Sequence, residues 1–277
     1  MQTYDLQNTY LTQKQCYKSG FTHSISFRME QLDILKQAIR KYQDEIVDAC
    51  YKDMGKPEME AYLSEVVLTI AHLDLMLKNL KSWSRPQKVR MPAGHLPGSA
   101  FVYPEPYGVT LIISPWNYPF QLAIVPLIGA IAAGNCAVIK PSELSVYTSK
   151  IIAKMIAEFF NPEFISVIEG GADVAEQLLE NRWDFIFFTG SPHIGRKVMH
   201  AASQYLTPLV LELGGKSPCI VDKEVSLEVA VKRIAHGKFF NAGQSCVASD
   251  YVVVHESIKD QFLKLMESSI KNFYHPS

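Results

Sequence analysis

Between Phe27 and about Tyr51 the apolar residues Leu32, Leu35, Ile39, Ile46 and Val47 recur at the spacing of one face of an α-helix. Lys56-Pro57 interrupts that pattern, and a second long helical pattern runs from Glu58 to about Trp83. Pro86 to Gly98 reads as a connection carrying Pro and Gly. Ser99 to Tyr103 then reads as a strand, ended by Pro104-Glu105-Pro106. Beyond it the period changes. Unbroken apolar, β-rich runs occur at Val109–Ile113, Ala137–Ile139, Ile165–Ile168, Phe185–Phe188 and Leu209–Leu213. Helical patterns fill the gaps at Phe120–Ala133, Ser145–Phe160, Ala172–Leu179 and Ile194–Ser203. Strands that are apolar at every position, alternating with helices, are the mark of a parallel sheet covered on both faces. The expected fold is therefore α/β, a doubly wound, Rossmann-like parallel sheet.

Polar and glycine residues cluster after nearly every expected strand. They are Ser-Pro-Trp-Asn (114–117), Lys-Pro-Ser-Glu (140–143), Glu-Gly-Gly (169–171), Thr-Gly-Ser (189–191) and Glu-Leu-Gly-Gly (212–215). Open parallel sheets bind ligands outside the carboxyl ends of their strands, so these clusters would share one site. Strand termination alone accounts for the glycines and prolines. It does not account for Asn117, Lys140, Glu143 and Glu212 recurring at the same edge.

Charge changes the picture by exclusion. Lys plus Arg number 27 and Asp plus Glu 28 in 277 residues, a net charge of -1 that argues against a nucleic-acid or polybasic membrane surface. The residues AVILMFWYC make up 48% of the chain, enough for a substantial core. Pro115, Asn117, Pro119, Gln121 and Pro126 interrupt the most apolar stretch, Val109 to Ala133, so no membrane span is expected. Met1 to Leu11 is polar and shows no secretory signal. The five cysteines, Cys16, Cys50, Cys136, Cys219 and Cys246, are scattered, with neither a CxxC pair nor zinc-ligand spacing. This fits reduced thiols in the cytoplasm, with no metal site.

Three side chains are candidates for chemistry. Glu212, flanked by leucines in Pro-Leu-Val-Leu-Glu-Leu-Gly-Gly, is expected to be a partly desolvated general base; an ordinary strand-end carboxylate at the surface is the alternative. Cys246, in Asn-Ala-Gly-Gln-Ser-Cys-Val-Ala, follows small residues that leave room for a ligand, although no cation adjoins it in sequence and a buried structural cysteine fits as well. Asn117 lies between two prolines, where its amide suits either an oxyanion or a turn. Two patterns fail. Gly215-Lys216-Ser217 has Val210 where a phosphate-binding loop needs its first glycine, and Gly190 to Gly195 lacks the G-x-G-x-x-G spacing. There is no G-x-S-x-G elbow, which disfavours a serine hydrolase.

Taken together, Ile113-Ser-Pro-Trp-Asn-Tyr-Pro-Phe120, Gly134-Asn135, Ile139-Lys-Pro-Ser-Glu143, Phe187-Phe-Thr-Gly-Ser191, Leu211-Glu-Leu-Gly-Gly-Lys216 and Gly243-Gln-Ser-Cys246 resemble the aldehyde dehydrogenase superfamily. The resemblance runs from about Phe27 to the end. The short N-terminal lead and the Asn-Ala-Gly-Gln-Ser-Cys form look most like its class 3 branch, the benzaldehyde and fatty aldehyde dehydrogenase type. The resemblance implies oxidation of an aldehyde to a carboxylic acid. Cys246 would be the nucleophile, Asn117 with the Cys246 backbone N–H would hold the oxyanion, and Glu212 would activate water. It implies a nicotinamide cofactor, with Lys140 and Glu143 at the adenine ribose, Gly190 and Ser191 at the pyrophosphate, and Ser114 and Trp116 as further contacts. Glu143 favours NAD, with NADP still possible. Acylating relatives share the fold, but Glu212 argues against them, since they commonly lack that base.

By the same resemblance, residues 1–210 would form the NAD-binding domain, interrupted by an oligomerisation hairpin at about 86–106, and 211–277 would begin a catalytic domain. Members of the family are homodimeric and continue past the nucleophile to a Glu-x-Phe-Gly-Pro segment that is not found here. The chain thus reads as an N-terminal part. The expectations that follow are lack of turnover and marginal stability, with Phe239, Phe240 and Tyr251–Val254 lacking a partner layer. A Ser99–Ile113 hairpin would lose its neighbour. A catalytically inactive fragment or nucleotide-binding pseudo-enzyme is the alternative function.

Overall fold

The computed structural model describes residues 6–95 and 97–274. The chain divides into two compact units, Met1–Glu212 and Leu213–Ser277.

The first unit is built on a sheet of five strands in the order β5-β4-β3-β6-β7. These are β3 (Val109–Ile113), β4 (Cys136–Lys140), β5 (Ile165–Val167), β6 (Phe185–Gly190) and β7 (Leu209–Leu213). β3 pairs in parallel with both β4 and β6, and β4 with β5. Every residue of β3 and β4 is buried, as unbroken apolar strands require when both sheet faces are covered. The cover comes from α5 (Gln121–Ala133), α6 (Val146–Phe159), α7 (Ala172–Leu179) and α8 (Pro192–Ser203), with α2 (Ile25–Met54) packed on α5 and α6. α2 begins at Ser24, whose side chain accepts the Phe27 N–H, and ends at Gly55 in the left-handed conformation.

The single helix expected over 58–83 is divided. α3 (Glu58–Ala61) passes through a π-helical turn, Tyr62–Val67, into α4 (Leu68–Trp83). A hairpin lies within the expected 86–106, but the Ser99–Ile113 hairpin is not formed. β1 (Gln87–Val89), inside the segment read as a connection, pairs antiparallel with β2 (Ala100–Val102). Val109–Ile113 takes no part in it. Pro104 and Pro106 lack the N–H a ladder needs, so β2 stops short of them and the chain enters the five-stranded sheet at β3.

The polar N-terminal lead forms a helix, α1 (Leu6–Lys18), packed against β3 and β4. Its Gln13 is fully buried and donates to the Ala137 and Pro162 carbonyls and to Ser166 Oγ. Tyr10 donates to the Arg182 carbonyl, and Lys14 pairs with Asp184 at 2.5 Å. Asp184 Oδ2 also accepts the Val109 N–H at 2.7 Å, so this carboxylate ties α1 to the first residue of the central strand.

The second unit is a βαβ unit with one added helix. β8 (Cys219–Val221) pairs in parallel with β9 (Val252–Val254) through α9 (Leu227–Phe239), and α10 (Lys259–Tyr274) follows. Val221, Val231 and Phe262 form its core, with Cys219, Val252 and Val254 packed against them. This corrects the expectation of a missing partner layer for Val252 and Val254, while Tyr251 and Val253 stay exposed. Strand alternation puts Val252 and Val254 on the helices, while Ile220 (77% exposed) and Val253 (51%) lie on the bare face. Phe240 meets the His236 ring and Phe239 the Tyr274 ring.

Gly108 tests the α1 anchor. Its φ is +140°, and a Cβ there would lie 2.1 Å from Asp184 Oδ2. Gly108→Ala is expected to lower stability by ~2 kcal/mol. Urea unfolding followed by circular dichroism should show the lower midpoint, and an unchanged midpoint would mean that Asp184 does not hold this position.

Candidate active site

The connection order of the first sheet reverses between β3 and β6, the adjacent strands from which the chain winds outward in opposite directions. Ser114 follows β3 and its backbone N–H donates to the Lys140 carbonyl of β4 at 3.1 Å. Gly190 ends β6, and Ser191 caps α8, its side chain accepting the Ile194 N–H at 3.3 Å. A Cβ on Gly190 would fall 2.5 Å from the Phe188 ring, so a larger residue there would have to displace that ring. Pro192 begins α8 with φ already helical and no N–H to orphan. The helix N-terminus next to the switch point suits an anion.

Two buried hydroxyls at this edge, Ser114 Oγ and Thr189 Oγ1, have no protein partner among the described residues. They lie at the ends of neighbouring strands, β3 and β6, beside Lys140 at the end of β4. Orphaned donors beside a capped helix N-terminus are a fit for the phosphates and hydroxyls of a dinucleotide. Lys140 is buried, and its Nζ lies 2.7 Å from Glu143 Oε2, whose side chain is 45% exposed. Partial burial would raise the Glu143 carboxyl, but the Lys140 bond and a backbone N–H hold it below the usual range. The pair thus offers a charged acceptor at the surface with a cation behind it.

Trp116 is exposed and Asn117 half-buried, on the loop between β3 and α5. Residues that sequence reasoning had passed over hold this loop. Lys56, just past α2, and Glu65, in the π-helical turn, form a buried ion pair at 2.5 Å. Lys56 Nζ also donates to the Asn117 carbonyl at 3.3 Å and lies 4.3 Å from the Tyr118 ring centroid. Glu65 Oε2 accepts the backbone N–H groups of Phe120 (3.2 Å) and Gln121 (2.8 Å), at the start of α5. Burial pushes the Glu65 carboxyl up, against the Lys56 ammonium and these N–H groups. Ser145 Oγ donates to the Trp116 carbonyl at 3.0 Å. A charged residue inside the apolar helical run after Glu58 was the signal for Glu65; Lys56 registers in the sequence only as a helix breaker.

Glu212 lies on β7 and is exposed. This corrects the expected desolvation: alternation sends Leu211 and Leu213 to the opposite face, so flanking leucines do not wall off the carboxylate.

In the second unit Cys246 is exposed, in a turn after a short 3-10 segment, Phe240–Gly243. Asn241, Ala242 and Gly243 have φ of 53°, 54° and 79°, consecutive left-handed residues. Reciprocal bonds close the loop, Asn241 Nδ2 to the Gln244 carbonyl and Gln244 Nε2 to the Asn241 carbonyl. Strained backbone of this kind clusters at functional sites. Cys16, Cys50 and Cys136 are buried, and burial pushes the Cys50 thiol up to about 12.

The first unit is thus a doubly wound α/β fold with its polar groups at the switch point. Residues 14–274 match the family described as "Aldehyde dehydrogenase family", and the chain belongs to that family. It is 45% identical to 4,4'-diaponeurosporen-aldehyde dehydrogenase of Staphylococcus aureus over 269 residues, 97% of this chain and 59% of that protein. It is 42% identical to aldehyde dehydrogenase family 3 member A2 of Macaca fascicularis over 94% of this chain and 54% of that protein. The solved substrate-bound state of Staphylococcus aureus AldH superposes with a TM-score of 0.96 at 43% identity, covering 99% of this chain and 60% of that one. PnpE, solved in complex with nicotinamide adenine dinucleotide, superposes with a TM-score of 0.85 at 28% identity, covering 95% and 54%. The chain spans somewhat over half the length of these relatives. Among the described residues no helix is long and apolar enough to cross a membrane.

Exposure orders the thiols for a prediction. Brief iodoacetamide treatment should label Cys246 first, then half-buried Cys219, with Cys16, Cys50 and Cys136 protected. Mass mapping of the peptides reads the order, and Cys50 or Cys136 ahead of Cys246 would contradict it.

Proposed function

We propose that this chain oxidises a small-molecule aldehyde to its carboxylic acid through Cys246, with NAD preferred over NADP. The carrying observation is the set of groups at the carboxyl ends of β3, β4 and β6 in a member of the aldehyde dehydrogenase family: orphaned Ser114 and Thr189 hydroxyls, the capped α8, and the Lys140–Glu143 pair. The dinucleotide complex of PnpE supports the same cofactor class here.

Each residue takes a defined part. The Cys246 thiolate adds to the aldehyde carbon, and the Asn117 amide with the Cys246 N–H stabilises the oxyanion. When bound, the dinucleotide supplies the acceptor for the hydride that leaves the thiohemiacetal as it becomes a thioester. Glu212, open to water, takes a proton from the water that hydrolyses the thioester and frees the Cys246 thiol. Ser191 and the N-terminus of α8 would hold the pyrophosphate, with Gly190 allowing close approach and Ser114 and Trp116 as further contacts. Lys140 and Glu143 would hold the adenine ribose hydroxyls, and the Glu143 charge would repel a 2′-phosphate. The free state of the described cysteines supports a reducing, cytoplasmic setting, and homodimers are the assembly suggested by the family resemblance.

A second reading is dinucleotide binding without turnover, favoured by the bare face that carries Ile220 and Val253 in the unit that holds Cys246. NADH formation from benzaldehyde or propanal separates the two. Turnover with NAD that vanishes in Cys246→Ala supports oxidation. Bound NAD without NADH supports the second reading, and absence of NAD binding removes both. Glu143→Gln should narrow the preference for NAD over NADP by about tenfold, since one like-charge clash is removed. Equal affinity in the unmutated chain would overturn the assignment of Glu143.

A further inference from the structure

We propose that Lys56 and Glu65 are positioning residues for the oxyanion-binding loop, clamping the segment 116–121 so that Asn117 is held for the reaction assigned to it above. The proposal rests on that reading of Asn117.

The geometry supports a clamp more than a stability device. Both charges are buried, with side chains 1% and 0% exposed. Each is spent on the loop as well as on its partner. Lys56 Nζ reaches the Asn117 carbonyl and lies under the Tyr118 ring. Glu65 takes the Phe120 and Gln121 N–H groups, closing the loop where α5 begins. Ser145 fixes the Trp116 carbonyl from the β4–α6 connection. Backbone contacts thus flank Asn117 on both sides in sequence. Glu65 reaches this position from a π-helical turn, which shifts its side chain relative to a regular helix; such turns are frequent at functional sites. A well-packed apolar pair could replace a buried ion pair without loss of stability, so an ionic pair that also grips a loop points to orientation.

The test compares two reactions of Cys246 in the 277-residue chain. With p-nitrophenyl acetate the thiolate adds to the ester carbonyl, an oxyanion forms, and its collapse expels p-nitrophenolate to leave an acetyl thioester. With iodoacetamide the thiolate displaces iodide and no oxyanion forms. Asn117→Ala should slow acylation and leave alkylation unchanged. The double variant Lys56→Met/Glu65→Leu should do the same, slowing acylation on the order of tenfold to a hundredfold. Amide exchange at Phe120 and Gln121 should rise with it. Glu65→Gln keeps an oxygen for one of those N–H groups and should lose less; if the double variant does not fold, it alone decides between slowed and unslowed acylation at constant alkylation. If Asn117→Ala slows acylation but the pair variants do not, the positioning role is overturned and the reading of Asn117 stands. If Asn117→Ala has no effect, or the unmutated chain is alkylated but never acylated, that reading falls and this proposal with it.

Discussion

A strand buried on both faces leaves little place for an unpaired polar side chain along its length, because each polar group moved out of water needs a partner. β3 and β4 follow this constraint with one exception, the buried Thr110 hydroxyl, which has no partner among the described residues; every residue is buried, and the charged chemistry begins where the strands end, at Lys140. The order β5-β4-β3-β6-β7 then places the two strands on which the winding reverses side by side, and their following loops diverge to opposite faces. A cleft at one edge results from connectivity. What occupies it depends on the residues that the sheet interior cannot accept.

The opposite end of the sheet shows the same rule from the other side. α1 is polar, yet Tyr10, Gln13 and Cys16 are buried at steps of three residues. Gln13 is tolerated because its amide nitrogen satisfies two carbonyls and a hydroxyl at the starts of strands. Asp184 is held by Lys14 on one side and the Val109 N–H on the other. α1 covers this end of the sheet, although Gln13 Oε1 has no partner among the described residues, while at the other end the Ser114 and Thr189 hydroxyls lack partners beside a capped helix N-terminus. A helix covers one end, and the helix N-terminus that suits an anion lies at the other.

How much of this was legible in the sequence follows from what periodicity can detect. The strands of the first sheet and α5 to α8 were visible because continuous apolar runs and helical spacing report burial directly. The site motifs were visible because polar residues at strand ends break those runs. β1 escaped because Gln-Lys-Val, exposed at every position, has no apolar face. α1 escaped because its burial is carried partly by hydrogen bonds, to which hydropathy is blind. Glu212 was misjudged for a related reason. Neighbours in sequence are not neighbours in space on a strand, so leucines at 211 and 213 say nothing about the solvation of 212. Lys56 and Glu65 lie nine positions apart on different elements, and charge pairing at that distance leaves no periodic trace.

The loop that carries Cys246 makes a different use of local conformation. Asparagine and glycine enter the left-handed region at modest cost, but Ala242 has no side-chain bond to offset its Cβ clash, and such a residue costs on the order of 1–3 kcal/mol. The reciprocal bonds between Asn241 and Gln244 do not relieve Ala242 itself. They fix the residues on either side, so that relaxing Ala242 would break both. A strained residue held between two hydrogen-bonded amides makes the following turn rigid without using a bulky side chain, and Ser245 and Cys246 are left uncrowded at its exit. For the approach of a carbonyl carbon to the thiol, as the proposed reaction requires, small residues in an over-determined loop achieve what a larger and more relaxed loop would obstruct.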